Sequence, residues 1–311
     1  MIPFGERLAT AVRAVGAPAA VGLDPHLERF PAPLRAGFEG RSGADLRRAA
    51  ADAVRRFDAA VLPALAGRVA AIKVQFAFYE RLGAPGYAAL EQVCALGREL
   101  GLLVIGDAKR GDIASTAAAY AEAGLDPAGP LGCDALTVNP WMGLDTLEPF
   151  LSVARAHGRG LFVLARTTNP GSALFQTHGD PPAALALARG LDRLGQDTVG
   201  PAGWSSVGAV VGAQIPGAEV AALRAAMPSA WFLVPGVGAQ GGGLSDALAG
   251  ARTDGLGSLV VAARSVLFPE QPDARYDADF SGWIQARADA FCTSVSRALA
   301  NKEGAPPSSF V

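Results

Sequence analysis

Cysteine and histidine are scarce in this chain, and the few that occur lack the spacing of a disulfide framework or a metal site. The three cysteines, Cys94, Cys133 and Cys292, are odd in number and far apart. We therefore expect buried small side chains in a reducing compartment. The three histidines are equally scattered, which argues against a zinc site. There is also no Ser-His-Asp arrangement and no Gly-x-Ser-x-Gly elbow, which argues against the common nucleophilic hydrolases.

The charge balance excludes further classes of partner. With 27 basic and 29 acidic side chains the net charge is -2, so there is no excess positive charge for nucleic acid or an anionic membrane. No uncharged apolar run approaches the roughly 20 residues of a membrane span, and the N-terminus lacks a signal-peptide layout. We expect a soluble, cytoplasmic protein.

Eight short apolar runs recur along the chain, each followed by a loop and a segment of helical periodicity. The runs are rich in Val, Ile or Leu, as expected of strands that are buried on both faces. The predicted strands are Ala19–Leu23, Val69–Val74, Leu102–Gly106, Ala135–Val138, Leu161–Ala165, Val207–Gly212, Trp231–Val234 and Ser258–Ala262. The predicted helices are Glu6–Val15, Asp45–Ala66, Gly86–Leu100, Ile113–Ala123, Leu144–His157, Pro182–Val199, Ala218–Ala226, Leu244–Ala249 and Phe280–Ala300.

Eight strand–helix repeats predict an α/β fold, a (β/α)8 TIM barrel with a short helix before it and a helix after it. Length alone would suggest two domains, but α/β barrels of about this size form one. We expect a single barrel domain over residues 1–300 and a flexible tail over 301–311. The alternative is an open doubly wound sheet, but no Gly-x-Gly-x-x-Gly follows the first strand.

The most unusual stretch is Asp107-Ala108-Lys109-Arg110-Gly111-Asp112-Ile113, which directly follows the third apolar run. Charges at the end of a buried strand are costly unless they are paired, so such a cluster is a candidate site. Asp107 and Lys109 lie two residues apart on an extended chain, and their side chains should share one face. An ordinary ion pair at the barrel rim is the simpler explanation, but it does not account for further charges at other strand ends.

Chemistry in such a barrel gathers at the carboxyl ends of the strands. Polar side chains follow most of the predicted strands: Asp24 and His26 after the first, Lys73 on the second, Asp107, Lys109 and Asp112 at the third, Asn139 after the fourth, Thr168 after the fifth, Gln214 after the sixth, Gln240 after the seventh and Arg264 after the eighth. Two lysines, three aspartates and one arginine should therefore converge on one rim.

Some of these residues have simpler explanations. Asp112 could equally be an N-cap of the following helix, and Arg264 could equally lie on the surface. The glycines of Pro235–Gly242 could form only a tight turn. Their number and their position after the seventh strand favour a phosphate site, where backbone N–H groups and Arg264 would bind the anion.

Five motifs, in order and one per expected strand end, resemble the orotidine 5′-phosphate decarboxylase family, in its longer bacterial (type 2) branch. They are Val21-Gly22-Leu23-Asp24-Pro25, Asp107–Ile113, Thr168-Asn169-Pro170-Gly171-Ser172, Pro235–Gly242 and Arg264-Ser265. Asp-x-Lys-x-x-Asp alone is shared with sister enzymes, whereas the combination is specific. The resemblance implies decarboxylation of orotidine 5′-monophosphate (OMP) to UMP and CO2, the last step of de novo pyrimidine nucleotide synthesis.

The resemblance also implies roles for the charged residues. Lys109 would deliver a proton to C6 of the pyrimidine as CO2 leaves, and Asp107 would lie against the substrate carboxylate. Lys73 and Asp112 would complete an alternating charge array. The substrate-binding residues would be Asp24 at the ribose, Thr168 at the pyrimidine, Gln240 and Arg264 at the 5′-phosphate, the backbone N–H groups of Gly238 and Gly241, and Ile113 and Thr116.

The implied assembly is a homodimer in which Asp112 and Thr116 complete the site of the partner subunit. No metal and no organic cofactor are implied. This agrees with the absence of a metal-ligand cluster in the sequence.

Three alternatives remain. A sister barrel enzyme acting on sugar phosphates, such as a 3-hexulose-6-phosphate synthase or a 3-keto-L-gulonate-6-phosphate decarboxylase, would use Mg²⁺ held partly by an acid at the end of strand 2, where this chain has Lys73. A Schiff-base aldolase would need a neutral lysine, which flanking aspartates disfavour. A non-enzymatic module that binds a phosphorylated ligand would not need the charge array.

Overall fold

A computed structural model describes residues 1–237 and 242–303 of the chain. Within them, eight parallel strands pair in chain order and the last pairs with the first, which closes a barrel. The strands are β1 (Ala19–Leu23), β2 (Ala71–Gln75), β3 (Leu103–Arg110), β4 (Ala135–Val138), β5 (Gly160–Arg166), β6 (Val207–Val211), β7 (Phe232–Val234) and β8 (Ser258–Ala262). The predicted (β/α)8 barrel is confirmed, and each predicted strand is present.

The nine predicted helices are also present, with ends that differ by a few residues. The helices are α1 (Phe4–Val15), α2 (Ala32–Arg35), α3 (Gly43–Leu65), α4 (Phe76–Glu80), α5 (Ala84–Glu99), α6 (Ala114–Leu125), α7 (Glu148–His157), α8 (Ala173–Gln176), α9 (Ala183–Gly195), α10 (Gly217–Ala226), α11 (Leu244–Ala247), α12 (Arg264–Leu267), α13 (Ala274–Ala278) and α14 (Phe280–Glu303). Short 3₁₀ turns cover Leu27–Arg29, Leu144–Leu147, Pro170–Ser172 and Gln196–Thr198. Throughout the described part of the chain, each helix is too short or too polar to cross a membrane.

Helix α14 continues to Glu303, past residue 301, where the tail was predicted to begin. The Lys302 ammonium donates to the backbone carbonyls of Leu248, Ala249 and Ala251 at 2.8, 3.3 and 3.0 Å, which ties this last turn to the segment after α11. Residues 304–311 lie outside the described part of the chain.

The end of the barrel opposite the strand carboxyl ends is closed by α1 and by the loop before β6. The Phe4 ring packs edge-on against Phe162 inside the barrel, with ring centroids 5.8 Å apart. Trp204, from that loop, packs against Trp231 with ring centroids 4.7 Å apart, and both rings are buried. A carboxylate oxygen of Glu6 accepts the backbone N–H groups of Ala202 and Trp204 at 3.1 Å. The loop over residues 200–204 therefore belongs to the packed base of the barrel.

The barrel interior changes from apolar to polar along the strands. Side chains alternate between the two faces of a strand, so Lys73 follows Ala71 into the interior and Asp107 follows Ile105. Ala71 and Ile105 lie in the buried core of the barrel. The register places Gln75 beside Asp107 on the neighbouring strand. Because side chains alternate along a strand, the polar side chains near the carboxyl ends of β2 and β3 point into the barrel, above its apolar interior.

A buried carboxyl lies outside the barrel, between α3 and α4. Asp58 is 3% exposed, and its Oδ2 accepts a hydrogen bond from the Tyr79 hydroxyl at 3.0 Å. Burial raises the pKa of Asp58 to about 8, although the Tyr79 hydroxyl favours the charged form. Asp58 is therefore protonated in the folded protein at neutral pH.

The Asp58→Asn variant should gain stability over the parent protein as the pH rises. In the unfolded chain an Asp ionises near pH ~4, whereas folded Asp58 keeps its proton up to about pH 8. Unfolding thus releases a proton between these limits, and the parent loses up to about 1.4 kcal/mol of stability per pH unit there. Asparagine has no proton to release. The measurement is the free energy of unfolding in urea of the variant and the parent at pH 5 and pH 8. An equal difference between the two proteins at both pH values would contradict the prediction.

Candidate active site

A cavity of about 500 Å³ opens at the carboxyl ends of the strands, where the polar layer begins. It is lined by residues from the ends of several strands, as expected of a barrel active site. The lining residues are Asp24, His26, Lys73, Gln75, Asp107, Lys109, Thr167, Thr168, Asn169, Val210, Leu233, Pro235, Gly236, Val237, Val261, Ala263 and Arg264. Six sequence-predicted site residues are therefore brought together: Asp24, Lys73, Asp107, Lys109, Thr168 and Arg264.

A larger groove, of about 1200 Å³, lies outside the barrel and is lined by the segment 268–287 alone. Two of its charged residues, Asp273 and Arg275, pair with each other at 3.0 Å. Because the strand-end cavity instead has charges from several separate strands, we take the smaller cavity as the candidate active site.

Asp107 lies at the centre of the charge network. Its Oδ2 accepts from the Lys73 ammonium at 2.7 Å and from the Gln75 amide at 2.8 Å. Its Oδ1 accepts from the Lys109 ammonium at 2.5 Å and from the Thr137 hydroxyl at 3.1 Å. Burial alone would raise the pKa of Asp107, but the two ammonium groups outweigh it and hold the pKa well below its ordinary value. Asp107 is therefore a carboxylate throughout the physiological pH range.

Lys73 lies between two carboxylates inside the barrel. Its side chain is 6% exposed, and its ammonium is 2.7 Å from Asp107 and 3.6 Å from Asp24. Burial favours the neutral amine, but the two carboxylates outweigh that effect and raise the pKa of Lys73 above its ordinary value. Gly22 lies beside Lys73, and a Cβ there would make a tight 3.0 Å contact with the Ala263 side chain.

Lys109 is the more accessible of the two lysines. Its side chain is 46% exposed, and its terminal nitrogen remains in contact with Asp107. The two residues belong to β3 itself, which continues to Arg110 and past the predicted end of the third strand. Lys109 has a positive φ of 49°, a conformation that is uncommon for a residue other than glycine. Such strained residues often cluster at active sites.

The loop after β5 supplies the hydroxyl-bearing wall of the cavity. Thr168 lines the cavity as predicted, together with Thr167 and Asn169. Gln176 of α8 accepts the backbone N–H of Thr167 at 2.8 Å and donates to its hydroxyl at 2.9 Å. The Thr167 hydroxyl in turn donates to Asn169 at 2.7 Å. The wall is therefore held in place by side-chain hydrogen bonds.

Asp112, Ile113 and Thr116 do not line the cavity of their own chain. Asp112 also does not cap α6: the N-cap is Ile113, and Asp112 Oδ1 accepts the N–H of Ile113 at 2.8 Å. The helix begins one residue later than a cap at Asp112 requires. Ile113 is 58% exposed, so this segment faces away from the cavity and towards the surface.

The predicted phosphate site is described only in part. Arg264, Gly236 and Val237 line the cavity on the side of β7 and β8, and Arg264 begins α12. Gly238, Gln240 and Gly241 lie outside the described residues. Within the described ranges, no group of three or more His, Cys, Asp or Glu side chains could hold a metal ion.

Sequence reasoning missed Gln75 and Thr137, which both bind Asp107. Each is an uncharged residue on a strand rather than after it. Both could have been predicted from the alternation of side chains along a strand, in which residues two apart share a face. Gln75 is two residues after Lys73, and Thr137 is two residues after the interior Ala135.

A closed parallel barrel with a buried lysine–aspartate network at its strand ends defines a (β/α)8-barrel enzyme. The sequence model of the orotidine 5′-phosphate decarboxylase / HUMPS family matches residues 44–278. The chain belongs to this family.

Individual relatives cover most of the chain. An orotidine 5′-phosphate decarboxylase of Rhodopirellula baltica is 39% identical over 92% of this chain and 95% of its own length. One of Deinococcus radiodurans is 43% identical over 80% of this chain and 83% of its own length. The solved OMP decarboxylase of Leishmania donovani has a TM-score of 0.69 and 32% identity, and the match covers 96% of this chain and all (100%) of that one.

Proposed function

We infer that this chain decarboxylates orotidine 5′-monophosphate to UMP and CO2, with Lys109 as the proton donor. The observation that carries the inference is the Lys73–Asp107–Lys109 array, in which Lys73 and Asp107 are buried and Lys109 is half-exposed, and which opens into the strand-end cavity. Relatives named as this decarboxylase, 39% and 43% identical and covering most of the chain, support the same reaction.

The reaction requires stabilisation of a carbanion. The bond from C6 to the carboxylate carbon breaks, the electron pair stays on C6 and CO2 leaves; the ring offers no electron sink such as a Schiff base. Enzymes lower barriers by ~8–23 kcal/mol, and this reaction needs the upper part of that range. Fixed charges aimed at the developing negative charge are the largest single source of such stabilisation. The Lys109 ammonium, held at 2.5 Å from Asp107, supplies that charge.

Lys109 then transfers a proton to C6, which yields UMP, and is reprotonated from solvent. Its half-exposed side chain can reach both the cavity and water. Asp107 lies against the substrate carboxylate, so its fixed negative charge favours departure of that group as neutral CO2. Lys73 keeps Asp107 ionised through its 2.7 Å contact.

Asp24 is available to bind the ribose. Its Oδ1 is buried and, among the described residues, has no hydrogen-bond partner, since Lys73 lies 3.6 Å away. Buried polar atoms are normally paired, and a ribose hydroxyl in the cavity would supply the missing donor. Thr168 binds the pyrimidine from the β5 side. Arg264, with Gln240 and the N–H groups of Gly238 and Gly241, binds the 5′-phosphate.

The family also includes sugar-phosphate enzymes, and the Mg²⁺-dependent reaction is the second candidate. Those enzymes need an acid at the end of strand 2, where this chain carries the Lys73 cation. A Schiff-base mechanism through Lys73 is also disfavoured, because the raised pKa keeps its amine protonated.

We also infer that the active unit is a homodimer. Apart from Met1 and Ile2, the exposed large apolar side chains of the described residues cluster around the loops after β3, β4 and β5: Ile113, Tyr120, Trp141, Met142, Leu174 and Phe175. Trp141 and Phe175 are in ring contact at 5.0 Å. Large exposed apolar patches mark interaction sites, and two members of this one, Ile113 and Tyr120, lie close in the chain to Asp112 and Thr116. A second copy there would receive both residues at its own cavity.

The purified chain should convert OMP to UMP with release of CO2, measured by chromatography of the nucleotides. Hexulose 6-phosphate with Mg²⁺, offered in a parallel reaction, should not be consumed. Consumption of the sugar phosphate without OMP turnover would overturn the proposal in favour of the second candidate.

A further inference from the structure

Strand β3 carries a bulge opposite β4 at the level where the site begins. Gly106 and Arg110 of β3 pair with Leu136 and Val138 of β4, so the three residues between them face Thr137 alone. A bulge removes ladder hydrogen bonds and re-aims side chains, and bulges are frequent next to active sites. The bulged residues of β3 include both the carboxylate and the proton donor of the proposed mechanism.

The Thr137 side chain provides hydrogen bonds at this bulge. Its Oγ1 accepts the backbone N–H of Lys109 at 2.9 Å and donates to Oδ1 of Asp107 at 3.1 Å. A threonine hydroxyl has one donor, and here that donor is directed at the carboxylate. Thr137 is 0% exposed, so both bonds lie away from solvent. One hydroxyl therefore fixes the backbone of Lys109 and the carboxylate of Asp107 together.

Lys109 requires such a restraint because of its backbone conformation. With φ at 49° it occupies the left-handed region, which is unfavourable for a side chain with a Cβ. Strained conformations persist only where surrounding contacts hold them. The hydrogen bond to Thr137 is such a contact, and without it the unpaired N–H favours relaxation of the backbone that carries the ammonium.

We propose that Thr137 is a positioning residue, and that its hydroxyl holds Lys109 and Asp107 in the geometry that decarboxylation needs. The inference rests on the proposed function, because it assigns this pair to the chemical step. Thr137 does not line the cavity. Its loss should therefore lower kcat and leave the KM for OMP nearly unchanged.

Two matched pairs isolate the hydroxyl. Thr137→Val keeps the shape of the side chain and removes the hydroxyl, and Thr137→Ala differs from Thr137→Ser in the same single group. We expect kcat to fall ~10–100-fold in the Val and Ala variants, as for loss of buried hydrogen bonds at a reacting pair. The Ser variant should stay within about threefold of the parent, because it keeps the hydroxyl. Thermal unfolding of each variant checks that it is folded.

Lysine NMR provides a readout that does not depend on turnover. The chain has three lysines, Lys73, Lys109 and Lys302, so [¹⁵N]lysine labelling gives three backbone amide signals that variants can assign. In the parent and the Ser variant, the Lys109 amide should exchange slowly with solvent. In the Val or Ala variant it should shift and exchange at least about tenfold faster, while the Lys73 and Lys302 signals stay in place.

The outcomes separate the inference from the proposed function. If the parent protein does not turn over OMP, the proposed function fails, while the amide exchange still tests the contact between Thr137 and Lys109. If the parent is active and the Val and Ala variants keep both kcat and a protected Lys109 amide, the positioning role is wrong. Equal losses in the Ala and Ser variants would assign the effect to packing and also overturn it.

Discussion

Replacing Lys109 with alanine should lower kcat for OMP by at least about 10³-fold. The variant loses the proton donor, which is worth ~10²–10⁴-fold, and the positive charge next to the developing carbanion, which is worth a comparable factor. UMP binding should remain measurable, because UMP lacks the carboxylate and its phosphate and ribose bind through other residues. The loss of absorbance of OMP reports kcat, and calorimetric titration with UMP reports binding.

Two further lysine variants show whether the loss of kcat in Lys109→Ala is specific to the proton donor. Lys109→Arg keeps a positive charge but does not release a proton, since a guanidinium stays protonated in proteins, so it should bind UMP like the Ala variant and recover little of the rate. Lys302→Ala is the matched control, because Lys302 does not line the strand-end cavity and donates to the backbone carbonyls of Leu248 and Ala251. It should retain kcat. An Lys109→Ala protein with more than about a tenth of the parental kcat would remove Lys109 from its role.

Mixing Asp107→Ala protein with Asp112→Ala protein should restore activity that neither has alone. In a mixed dimer, the Asp112→Ala subunit keeps its own Asp107 and Lys109 and receives Asp112 from its partner. One of the two sites of the dimer is therefore complete. With free exchange about half of the dimers are mixed, and the mixture should reach about a quarter of the parental activity. Turnover after mixing and subunit exchange is the measurement.

The control for this experiment uses two substitutions in the same half-site. A mixture of Asp107→Ala and Lys109→Ala proteins could regain activity only if Asp107 and Lys109 reached one site from different chains. Both residues instead come from β3 of one chain. That mixture should stay inactive. If the first pair folds, dimerises and exchanges without regaining activity, the shared site is wrong.

The architecture was predictable because each strand is buried on both faces and reads as a continuous apolar run. Strand ends were less accurate where the backbone is irregular. The apolar pattern of β3 stops at Gly106, but the strand continues to Arg110 through the bulge. Five short helices, such as α4 (Phe76–Glu80), were missed because four or five residues do not show a helical period.

The charged part of the site was predictable for a related reason. Charges next to apolar runs are conspicuous, and Lys73, Asp107 and Lys109 meet as expected. Thr137 and Gln75 were not found, because neither residue type is unusual on a strand. Their contacts with Asp107 depend on which residues face each other across β2, β3 and β4, and on the bulge. The burial of Asp58 against Tyr79 likewise depends on the packing of α3 on α4.

The central claim is that fixed charges of the protein, rather than a metal, drive the decarboxylation. The most direct test is the rate of absorbance loss from OMP with parent protein that has been treated with EDTA and assayed in its presence. The account predicts the same kcat with EDTA as without it, and no increase when Mg²⁺ is restored. No turnover of OMP under either condition, or turnover that EDTA removes and Mg²⁺ restores, would contradict it.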